Sequence, residues 1–122
     1  MEIVVTNEAQ EHLREVNEGG KPVRIVARDT YECSTMVEYF LATDESKASD
    51  QQHQVHSIPF IYDQKAEDEI GDYVKIDYIS SQGIKLLNRN QTLAYGLMLK
   101  SGIGPDPVEQ RKQNWSGSCT GL

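Results

Sequence analysis

"VRIVARDTYECSTMVEYFLATDE", residues 23–45, is the stretch on which the reading of this chain turns. Val23, Ile25 and Ala27 alternate with Arg24 and Arg28, the period-two pattern of a strand with one apolar side. "TMVEYFLA" is a second β-rich run, and a short loop carrying Cys33 separates the two. Strand, loop and adjacent strand in 23 residues leave no room for a crossover helix, so this part of the chain belongs to a β domain.

Reading outward gives the same answer. "EIVVT" near the N-terminus is a short β-rich run. "NEAQEHLREVNEGG" follows with Ala9, Leu13 and Val16 at helical spacing. Thr6 or Asn7 can cap this helix, with Gln10 at the capping-box position relative to Asn7, and Gly19-Gly20 ends it. The spacing predicts a helix near residues 7–17. "TDESKASDQQ" is polar and turn-rich, a loop. "HSIPFIYD" reads as a strand with Pro59 inside it, hence an edge or an irregular start. Asp63 can cap a short helical turn through "QKAEDEI" that Gly71 closes. "YVKIDYI" and "GIKLLN" read as strands around a Gly-containing turn, and "TLAYGLML" as a last strand or a turn of helix. One N-terminal helix and many short strands predict a mainly β sandwich or barrel-like domain with one or two short helices.

The bulk numbers set limits on function. A chain of 122 residues fits one domain and needs neither disulfide nor metal in order to fold. A formal net charge of −7 argues against nucleic acid, whose binding requires Lys and Arg at the phosphates, and against anionic membrane surfaces. "MEIVVT" lacks the basic start and apolar stretch of a secretory signal, and no run approaches the length of a membrane-spanning helix. The expectation is a cytoplasmic protein with Cys33 and Cys119 as reduced thiols. Residues 101–122 are rich in Gly, Pro, Ser and polar groups and are expected to be a flexible C-terminal tail after a domain of residues 1–100.

Few residues invite chemistry. Cys33 has Asp29 and Glu32 as near neighbours, and carboxylates disfavour a thiolate, so nothing local activates it as a nucleophile. A partly buried inert thiol is the plain alternative to a functional one. His53 and His56, in "HQVH", face opposite sides of a strand and make a poor chelate. His12 falls on the exposed helix face and is expected to be solvated. The acidic groups of "TDES" and "AEDE" read as solvated loop and helix-end charges. No glycine stands in the context of a phosphate loop.

The order "IVVTNEAQEHL", "VRIVARDTYECSTMVEYFLATDE", "YVKIDYISSQGIKLLNRNQ" resembles the HesB-like family, the A-type iron–sulfur cluster biogenesis proteins, over residues 2–95. The resemblance implies a compact β pseudo-barrel with mixed sheets and flanking helices. It also implies that Cys33, matching the first family cysteine, is the position that presents a thiolate to iron or a cluster. The departure lies further on. Cluster carriers of that family have a C-x-C just after the Asn-rich turn, whereas "NRNQTLAYGLMLK" has no cysteine. Clusters require about four ligands, mostly thiolates, so Cys33 is expected to support weak iron binding at most, with Cys119 a remote second candidate through a dimer. The sequence looks like a divergent, cysteine-poor bacterial branch. The expected function is non-enzymatic: iron–sulfur cluster assembly or iron handling as an accessory protein, monomer or homodimer, with assembly proteins or apo-protein clients as partners. The alternative is a metal-free module that keeps the fold and binds a protein or small ligand.

Overall fold

A computed structural model describes residues 1–17, 19–29 and 37–102. The elements run in the order β1 (Glu2–Val5), α1 (Asn7–Val16), β2 (Val23–Asp29), β3 (Val37–Thr43), β4 (Gln51–Val55), β5 (Ile58–Tyr62), α2 (Gln64–Ile70), β6 (Tyr73–Ile79), β7 (Gly83–Leu87), β8 (Thr92–Leu97) and β9 (Lys100–Ser101). They form two mixed sheets. One has the strand order β1-β6-β7-β8, with β1 and β6 parallel. The other has the order β4-β5-β2-β3-β9, with β2 parallel to β5 and β3 parallel to β9. The mainly β architecture with two helices is the one expected.

The two sheets share a core. Ile25 and Leu41 from one sheet, Val74 and Leu86 from the other, and Leu13 and Ala66 from the helices are all buried in it. Alternation along β6 and β7 supplies one half of this layer, because Val74, Ile76, Ile84 and Leu86 turn inward while their neighbours do not. A second, smaller cluster lies on the other face of β2 and β3, where Val26, Phe40 and Ala42 pack with Leu97. That cluster corrects the reading of β2 as a strand with one apolar side. Five consecutive residues, Val23–Ala27, are buried, Arg24 among them.

Local chemistry sets the helix ends. The Thr6 hydroxyl accepts from the Ala9 N–H at 3.3 Å and donates to Asp77 at 2.8 Å, so it caps α1 and ties it to β6. Gln10 does not complete a capping box. Its side chain is buried and donates to the Val5 carbonyl at 3.0 Å. The helix stops at Val16, which is 44% exposed and not on the buried face. Asp63 caps α2 by accepting from the Ala66 N–H at 2.9 Å, and Gly71 closes it at φ 102°.

Two departures concern strands. Gln51 and Gln52, read as loop, begin β4, which pairs antiparallel with β5 from Gln51↔Tyr62 to Val55↔Ile58. His56 and Ser57, read as the start of a strand, form the turn between them, with φ 50° and 70° as a type I′ hairpin turn requires. Pro59 sits where β5 has β4 alone beside it, since the pairing with β2 starts at Phe60. "TLAYGLML" forms β8 as a strand with an irregular register to β7. Gly83 is required at that crossing. Its φ is 92°, and a Cβ there would meet the Leu97 carbonyl oxygen at 2.9 Å.

Candidate functional site

Cys33 falls between β2 and β3, among residues 30–36 outside the described set, as do its neighbour Glu32 and the remote Cys119. The described residues fix the base from which that segment springs. β2 and β3 pair antiparallel along their whole length, and the last pair is Asp29↔Val37. The ends of the segment are thus held together by a continuous ladder, in the middle of a five-stranded sheet.

Alternation gives this base two differently furnished faces. On one, Arg28 stands across from Glu38 and donates to it from Nε at 3.3 Å. Lys100 of β9 reaches the same carboxylate at 3.5 Å. Both cations lie over the buried Phe40 ring, Arg28 at 4.7 Å and the Lys100 ammonium at 4.1 Å from its centroid. On the other face, α2 brings Lys65 to Asp29 at 3.2 Å and to Glu69 at 2.9 Å. The Lys65 ammonium is held above its ordinary pKa by its hydrogen bonds to Glu69 and Asp29. Tyr39, on this same face, has its phenol pKa raised by burial and by the Glu69 carboxylate.

The electrostatics therefore differ from the local sequence. Read along the chain, Cys33 has carboxylates beside it. In the fold, Lys65 and Lys100 arrive from distant segments, and each carboxylate described at this rim (Asp29, Glu38, Glu69) has a cationic partner. The cations Arg28, Lys65 and Lys100 pair off with Glu38, Asp29 and Glu69, so the described rim carries no net charge. No local signal reveals Lys65 or Lys100 as members of this rim, because the sheet and α2 alone bring them there.

The other candidate residues are not assembled. His12 is half-buried, not solvated, and stacks on Tyr78 with ring centroids 3.8 Å apart. His53 lies in β4, where its Nε2 is 3.0 Å from the Tyr62 hydroxyl. His56 lies in the hairpin turn, and its carbonyl accepts from Arg14. Among the described residues no group of three or more His, Cys, Asp or Glu is placed to hold a metal ion.

The acidic groups read as solvated are in part structural. Asp44, from "TDES", and Asp50 both pair with buried Arg24, at 2.7 and 2.5 Å. This ion cluster sits on β2 away from the rim, holding the connector between β3 and β4. Among the described residues no helix is long and apolar enough to cross a membrane.

Comparison with known proteins agrees with the architecture. The model of the iron-sulphur cluster biosynthesis family matches residues 1–101. The fold is similar to that of Escherichia coli SufA, involved in biosynthesis of iron-sulfur clusters, with a TM-score of 0.61 at 21% identity over 73% of this chain and 82% of that one. It is also similar to a protein from Lactobacillus acidophilus assigned to Fe-S biosynthesis, with a TM-score of 0.63 at 13% identity over 93% of this chain and 99% of that one. No curated protein sequence matches it. With the family model spanning most of its length, the chain belongs to the iron–sulphur cluster biosynthesis family, and its role is in iron–sulphur cluster assembly.

Proposed function

We propose that this protein is a non-enzymatic accessory of cluster assembly that handles iron as cargo through a single thiolate, Cys33. The observation that carries this reading is the rim at Asp29↔Val37, where a continuous antiparallel ladder anchors both ends of the segment bearing Cys33 between charge-balanced faces. A thiolate is a soft ligand suited to iron, and the pairing of Asp29 with Lys65 lessens the penalty that this carboxylate alone would impose. Asp29 is committed to Lys65, which leaves Glu32 as the nearer candidate for a hard second ligand. With one thiolate per chain at this place, iron is held weakly and passed on, and a [2Fe–2S] or [4Fe–4S] cluster is not retained by a monomer. Its partners on this reading are assembly proteins or apo-protein clients in the cytoplasm.

The missing C-x-C favours a second reading, a metal-free module that keeps the fold and recognises a partner, since residues 88–100 contain no cysteine. Anaerobic incubation with ferrous iron, with and without sulfide, separates the two when applied to the wild type, Cys33→Ser and Cys119→Ser. Weak iron binding lost in Cys33→Ser alone, and weakening as pH falls and the thiol gains its proton, is the expected result. No binding in any of the three leaves the metal-free module. A stable coloured species lost in both variants overturns the proposal in favour of a cluster bridged between two chains.

A further inference from the structure

We draw no further inference here: the strongest candidate, the cavity between α1 and β6 that Glu8, Glu11 and Glu15 line beside the stacked His12 and Tyr78 rings, is an acidic cluster with no second feature in the structure to say what ligand it would take.

Discussion

Arg24→Met should be among the most damaging single substitutions in this protein. The Arg24 side chain is 4% exposed. It donates from Nε to Asp44 at 2.7 Å, from both terminal nitrogens to Asp50 at 2.8 and 2.5 Å, and to the Glu45 carbonyl at 3.2 Å. The Asp50 side chain is 2% exposed and also accepts the Lys47 N–H at 2.7 Å. Hydrogen bonding from Arg24 holds the Asp50 carboxyl below its ordinary pKa against the opposing effect of burial. At Asp44 burial pushes upward, but the Arg24 hydrogen bond and charge outweigh it, and the pKa is again lowered. Removing the guanidinium strands a buried carboxylate, which costs about 3–5 kcal/mol at neutral pH. For a domain of this size that corresponds to a fall in melting temperature on the order of 10–20 °C. The pH dependence fixes the mechanism. In the wild type the two depressed carboxyl pKa values contribute stability that is fully present above the unfolded value of about 4 and is lost as pH falls through the lower folded values. In the variant the Asp50 side chain is buried without its cationic partner, with only the Lys47 N–H left to it, so its folded pKa is expected to rise above the unfolded value and acid relieves the defect. Thermal melts from pH 7 to pH 4 should therefore show the difference between wild type and Arg24→Met narrowing as pH falls. Arg24→Met with Asp50→Leu should recover much of the loss, because an apolar pair of suitable size replaces a buried ion pair at little cost. A single variant within about 1 kcal/mol of wild type at pH 7, or a difference that widens in acid, would refute this account of the cluster.

Thr6→Ala should lower stability by about 1–2 kcal/mol in a denaturant melt, since it removes both the α1 cap and the bond to Asp77, and Thr6→Ser should restore most of it. A chain ending at Gly104 should melt within about 2 °C of the full-length protein, because residues 105–122 carry too little apolar surface to offset the entropy of ordering them. A drop of several degrees in that experiment would show that this segment, Trp115 included, packs on the domain.

What could be read from the sequence is what local periodicity encodes. The helix at residues 7–16, the strand pair around Cys33, the Asp63 cap with its Gly71 stop, and the β6–β7 hairpin all announce themselves by spacing and turn chemistry. β4 does not, because "QQHQV" has no apolar side and becomes a strand only through its ladder with β5. The turn that joins them uses His56 and Ser57 at positive φ, where the usual signal is Asn or Gly. Arg24 looked like the solvent side of a strand because its partners, Asp44 and Asp50, are 20 and 26 residues away.

The same limit governs the site, and the fold sharpens the question there. Sequence spacing located Cys33 between two strands and judged it by its carboxylate neighbours, but Lys65 and Lys100 at the rim are supplied by topology. Topology also bears on whether Cys119 can join it. β9 runs parallel to β3, pairing Ala42↔Lys100 and Thr43↔Ser101, so the chain reaches Gly102 heading away from the Val37 end. That end and the Thr43 end are separated by the length of β3, roughly 20 Å at the usual rise per strand residue. The residues from Gly102 to Cys119 have the contour length to double back over that distance, at about 3.3 Å per residue. Closing such a loop within one chain nonetheless costs entropy. Iron carried at Cys33, as proposed, would depend on the ligands that an incoming partner supplies, the behaviour of a transient holder.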